Sequence, residues 1–283
     1  MAKSNSSTVA DDRRRPGEDR RATRQREDRR GARQREDLPG TPQREDLRGT
    51  RQREDLRGTR QRAEADARRS LVLDAARAAF FELGLDGASM REIAKRAGYT
   101  PGAIYSYYAS KEEMYGALLG ESLERLNARV AAAAAALPEP ASRSAAVRSE
   151  AAADLLRATA GAFFDFFHEN PRDLDLGFYL FQGMQPRGLT PALNERLNAR
   201  LGDALAPAQR ALVALGLEAK DAQAETTALF AHSVGLLVLS HTGRIRMFRQ
   251  ESRALFERYL DALLARAGAR TASVAPRRRA REA

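Results

Sequence analysis

Apolar residues fall into helical register along most of this chain. Val72, Ala75, Ala76, Ala79, Phe80 and Leu83 recur at i, i+3, i+4, i+7, i+8 and i+11, which marks one buried stripe, and Gly84 follows where a helix would stop. A shorter stripe comes next. Met90, Ile93, Ala94 and Ala97 share one face, Ser89 and Glu92 form the S-x-x-E capping box before it, and Gly98 stands where a left-handed cap is needed. Thr100 and Pro101 then supply an N-cap and a first-turn proline for a following helix, on which Ile104 and Tyr108, four apart, point inward. Two short helices should therefore meet at a tight corner. Their stripe is too small to make a core alone, so the preceding amphipathic helix must cover it.

Ser110 and Glu113 repeat the capping box, and from Lys111 a helix can run through Leu118, Leu123, Leu126 and the alanine tract to about Leu137, where Pro138 and Pro140 stop it. Further helical patterns cover about 145–168, 173–182, 190–215, 219–242 and 250–267, with Gly202 and Pro207 expected to bend the third. No period-two strand pattern is sustained anywhere. The expected fold is all-α: a three-helix domain containing a helix-turn-helix over 66–119, a connector helix, and a helical second domain over 120–267.

The ends read differently. Gln25, Gln34, Gln43, Gln52 and Gln61 fall every nine residues, in a unit close to QREDLRGTR that offers at most one leucine to bury and repeats glycine or proline. Residues 1–65 and the arginine-rich 268–283 are expected to be disordered. The repeat is either a basic arm that adds non-specific DNA affinity or a solvated, duplicated tail, which includes the case of a start placed too far upstream.

Charge narrows the partners. The 283 residues carry a formal net charge of +10, from 48 basic against 38 acidic side chains, which suits a polyanion. With no cysteine, disulfides, thiolate catalysis and cysteine-bound metal are excluded. No apolar run approaches a membrane span and the N-terminus lacks a signal-peptide core, so a soluble, cytoplasmic protein with no membrane partner is expected. There is no Gly-rich phosphate loop, nucleophile elbow or zinc-binding helix motif, so neither an enzyme nor a cofactor is implied. His232 and His241 lie nine apart, which at about 100° per residue puts them on opposite helix faces and argues against a shared metal.

On the second short helix, the outward face carries Thr100, Pro101, Gly102, Ala103, Tyr105 and Tyr107. Small groups near a helix N-terminus suit contact with base edges, while Ser89, Arg91, Tyr105, Tyr107 and Lys111 are candidates for phosphate. Lys111 also opposes the dipole at the start of its own helix, which a nearby phosphate would offset. Taken in order, VLDAARAAFFELGLDGAS, MREIAKRAGYTPGAIYSYY and SKEEMYGALL resemble the DNA-binding domain of the tetracycline-repressor (TetR) family of bacterial regulators over about Val72 to Leu119. That resemblance implies a homodimer paired through the last two helices and a small-molecule effector bound in the second domain. It assigns no pocket residue.

Two features of the second domain bear on those implications. Phe163, Phe164, Phe166 and Phe167 cannot share one helix face, so a pocket formed with Phe178, Phe181 and Phe230 is a candidate, with His232 as its polar anchor; ordinary core is the alternative. The run VGLLVL around Gly235 is apolar on nearly every side and must be buried all round, in a subunit contact or in the core. The expected function is a ligand-responsive repressor on a palindromic operator. An effector-independent architectural or activating DNA-binding factor is the alternative.

Overall fold

Among the residues described by this computed structural model, 44–178 and 189–279, every regular element is helical. The chain separates into two units, Met1–Arg57 and Gly58–Ala283. Helix α1 spans Arg44–Gly87, so residues 44–65 are helical where glycine recurrence predicted disorder. A glycine costs a helix only about 1 kcal/mol, and Arg, Gln and Glu are good helix formers. Pairs one turn apart add a little, such as Arg60 and Glu64 at 3.4 Å. The expected stop is visible at Gly84, whose φ of 72° and ψ of 170° break the helix before one last turn. At the other end, the last helix also outruns its expected limit and covers Ser252–Arg279, so residues 268–279 are helical. Residues 1–43 and 280–283 of the two expected tails lie outside the described residues.

The corner forms as its caps dictate. Helix α2 (Met90–Ala97) starts where Ser89 Oγ accepts from the Glu92 N–H at 3.1 Å, and ends at Gly98 with φ 73°. Helix α3 (Pro101–Ile104) is a single turn, capped by Thr100, whose Oγ1 accepts from the Ala103 N–H at 3.3 Å. It stops early because Ser106 Oγ donates to the Ala103 carbonyl at 2.6 Å, competing with the helical ladder. Ile93, Ala94, Ile104 and Tyr108 nonetheless pack inward with Val72, Ala76, Ala79, Met114 and Leu118 as a buried cluster.

A second core is built by α4 (Lys111–Ala135), α5 (Ala145–Glu169), α6 (Pro171–Phe178), α7 (Pro191–Ala214), α8 (Ala219–His241) and α9 (Ser252–Arg279). Pro207 lies buried inside α7. Helices α4 and α7 pass so closely that a Cβ on Gly116 would come within 2.5 Å of Leu193 Cδ2, and the Leu193 side chain would have to shift to admit it. Phe80 and Leu176 touch both cores. Helix α6 is tied down three times: Tyr115 Oη donates to the Leu176 carbonyl, Arg125 pairs with the buried Asp173 at 2.6 Å, and the Arg172 guanidinium lies 4.9 Å from the Phe81 ring centre. Among the described residues, no helix is long and apolar enough to cross a membrane.

Candidate nucleic-acid interface

Capping decides which way the corner faces. Thr100, Pro101, Gly102 and Tyr105 are exposed and Ala103 is half-buried, so the N-terminal turn of α3 presents a small, uncharged surface. Tyr105 keeps 56% of its surface, unusual for a ring in a packed domain. Beside it, Ser89, Arg91, Tyr105, Ser110 and Lys111 line one open depression. Four of the residues expected at phosphate are thereby brought together, though the Ser89 hydroxyl is already engaged as the α2 cap. Tyr107 is not part of that depression. It packs edge-to-face on Tyr99, ring centres 6.1 Å apart, and leans on the buried cluster.

Lys111 has a partner that the sequence did not suggest. Its Nζ donates to the Leu85 carbonyl at 2.7 Å and to the Asp86 carbonyl at 3.3 Å, across 26 residues of chain. The cation thus serves the last turn of α1, which accounts for its unfavourable place at the start of α4 without invoking a phosphate. One ammonium N–H remains for another acceptor. Lys111→Met should lower stability by about 1–2 kcal/mol, because the carbonyls lose a charged donor at a half-exposed site. A thermal melt matching wild type would contradict this anchoring.

Other basic groups nearby are spoken for. Arg96 sits 2.8 Å from both Glu92 and Glu82; its bond to Glu92 raises the guanidinium pKa and lowers that of the carboxyl. Arg69 donates to Tyr108 Oη at 3.0 Å and lies over its ring. Arg91 and Lys95 remain exposed with no ion pair among the described residues.

In the second domain, the expected aromatic pocket is mostly packing. Phe163 meets Phe167 at 5.2 Å and Phe230 at 5.8 Å, and Phe178 meets Phe167 and Phe230 at 5.9 and 5.8 Å, so the rings fill the space with one another. His232 turns toward α9 and stacks on Tyr259 with centres 4.1 Å apart; burial lowers its pKa, which favours the neutral ring. Phe181 lies outside the described residues. A cavity of 60 Å3 does open beside Phe167 and Phe178, bounded by Leu119, Ser122, Asn194 and Asn198. Thr159, Thr226 and Ser233 give their hydroxyls to the carbonyl one turn back, whereas the buried Ser122 Oγ has no hydrogen-bond partner among the described residues. Ser122, Asn194 and Asn198 carry no periodic or motif signal, so sequence reasoning had no means of finding them.

The chain is similar to known proteins in two blocks. A family model described as "Bacterial regulatory proteins, tetR family" matches residues 72–118, and one described as "Tetracyclin repressor-like, C-terminal domain" matches residues 156–263. The transcriptional repressor KstR2 of Mycobacterium tuberculosis is 42% identical over 66 residues, which is 23% of this chain and 33% of KstR2. The transcriptional activator FasR of Mycolicibacterium smegmatis is 33% identical over 113 residues, 40% of this chain and 46% of FasR. The chain thus matches less than half the length of either relative. A regulatory protein of the same family from Rhodococcus RHA1 superimposes with a TM-score of 0.52 at 22% identity, over 71% of this chain and 97% of that one, a likeness of fold.

Proposed function

Because the chain belongs to the tetracycline-repressor family of bacterial transcriptional regulators, we propose that it is a cytoplasmic repressor that binds a near-palindromic operator as a homodimer and is released by a small apolar effector. The family's named relatives regulate transcription and are not enzymes. The observation that carries the reading is the exposed corner of α2 and α3. Thr100, Gly102 and Ala103 would meet base edges, since small side chains let the helix N-terminus settle into a major groove, while Arg91, Tyr105 and Lys111 would hold the flanking phosphates.

Dimerisation has its own support. Ala224, Ala228, Ala231 and Gly235 are all exposed and fall along one side of α8, and a second α8 would cover that stripe. The effector would enter beside Ser122, whose unsatisfied hydroxyl, with the amides of Asn194 and Asn198, offers hydrogen bonds in a lining that is otherwise apolar. A coupling of about 1–3 kcal/mol between the two sites would lower operator affinity roughly 5- to 150-fold. The small size of that cavity, 60 Å3, is what favours the second reading, a DNA-binding factor that needs no effector.

The test begins with selecting duplexes from a randomised pool with the whole chain, then titrating Tyr105→Ala against the consensus at fixed salt. One hydrogen bond is worth about 1 kcal/mol and the dimer makes it twice, so affinity should fall roughly 30-fold. Unchanged affinity would sink the assignment of this corner to DNA.

A further inference from the structure

A larger cavity, of 320 Å3, lies between the end of α1, the start of α4 and α6. It falls at the lower end of the roughly 300–1,000 Å3 of small-molecule sites. Its walls are apolar, with the rings of Phe80, Phe81 and Tyr115 and the side chains of Leu118 and Leu176. The Ser122 cavity is separate from it and shares none of its lining residues.

Besides Tyr115, one basic and two acidic side chains reach this space, and they are not equally satisfied. Arg77 is held by Asp74 at 2.7 Å and Glu121 at 3.0 Å, and Glu82 lies 2.8 Å from Arg96. Asp175 has no ion pair or hydrogen bond among the described residues. Burial raises its carboxyl pKa, opposed by the neighbouring His241, whose Nε2 lies 3.0 Å from the Phe167 carbonyl. A carboxylate half-buried among aromatic rings is costly until a cation joins it. Among the described residues, the lining carries one cation, Arg77, already paired with two carboxylates, against the acidic side chains of Glu82 and Asp175, which disfavours an organic acid there.

We propose that this cavity binds a small hydrophobic cation, an aryl- or alkylammonium whose charged head pairs with Asp175 and whose apolar body lies against Phe80, Phe81 and Tyr115. Aromatic faces favour such a head as well as such a body. The site is placed where an occupant would matter. Phe80 and Leu176 belong to both cores, and the ties of Tyr115 to the Leu176 carbonyl and of Arg172 to Phe81 flank the cavity. A cation seated there bears on the joint between the α2–α3 corner and the bundle, so it would also modulate operator binding; that consequence alone rests on the function proposed above.

The test is a calorimetric titration of the full chain, without DNA, using benzyltrimethylammonium and its uncharged carbon isostere neopentylbenzene. Wild type should bind the cation about tenfold more tightly than the isostere, and Asp175→Asn should remove that preference while leaving the isostere's affinity unchanged. Leu83→Trp, at an exposed residue on the rim, should fill the space and displace both probes. Ser122→Val should change neither titration. Equal binding of cation and isostere, an undiminished cation preference in Asp175→Asn, cation binding that survives Leu83→Trp, or a cation loss in Ser122→Val instead would each overturn the proposal. Because DNA is absent, the outcome does not depend on whether the chain recognises an operator.

Discussion

Phe164→Ala is expected to lower the unfolding free energy by about 3–5 kcal/mol, read as a shifted midpoint in urea denaturation at fixed protein concentration. Phe164 is fully buried on α5 and stacks on Phe256 of α9, ring centres 4.4 Å apart and planes 20° from parallel. Truncation removes the ring's transfer free energy and leaves a void that the surrounding helices close only in part. Aromatic stacking adds about 0.5–1.5 kcal/mol to what area alone predicts. Against a total stability of about 5–15 kcal/mol, such a loss leaves little margin. Phe248→Ala is the control: this ring is 61% exposed, and its loss should shift stability by no more than about 0.5 kcal/mol. Equal effects of the two substitutions would mean that the α5–α9 contact is not the packed core described here.

If the chain pairs as proposed, Gly235→Arg should convert the proposed dimer to monomer in sedimentation and weaken operator binding on the order of a hundredfold or more, because two linked half-sites then act singly. A Cβ at Gly235 meets nothing within 4 Å, so within one protomer the new side chain points into open space. Replacing a mid-helix glycine also gains up to about 1 kcal/mol of helix propensity, which keeps the fold intact. The damage therefore falls on the association. A second α8 laid along Ala228, Ala231 and Gly235 would have to accommodate a guanidinium among methyl groups, at several kcal/mol of desolvation. A variant that stays dimeric and keeps its affinity would move the subunit contact away from this face.

Together the two substitutions separate the α5–α9 core contact from the outward face of α8. Phe256 of α9 faces its own bundle, as shown by its stack on Phe164, whereas the small residues of α8 face outward. Reading VGLLVL as apolar all round does not distinguish those faces. Leu236 and Leu237 are buried within the protomer while Gly235 is exposed, and that division follows from how α8 sits on α7 and α9.

The sequence alone was enough for whatever depends on neighbours within a turn or two. Ser89, Thr100 and Ser110 cap their helices because a short side-chain oxygen three residues before a free N–H can reach nothing better. Gly84 and Gly98 break where they do because only glycine enters positive φ without penalty, and the inward pairing of Ile104 with Tyr108 follows from helical repeat. Helix propensity belongs here too. Residues 44–65 and 268–279 are helical since propensity outweighs scattered glycines when no alternative structure competes.

Tertiary structure alone decided what depends on partners far away in sequence. Lys111 turns to carbonyls 25 and 26 residues earlier and His232 to Tyr259 on another helix, and among the described residues Ser122 and Asp175 are left without a hydrogen-bond partner. Each polar side chain takes the best partner that packing leaves within reach. Which partner that is depends on how whole helices cross, a quantity carried by the summed contacts of many buried residues and written in no single motif.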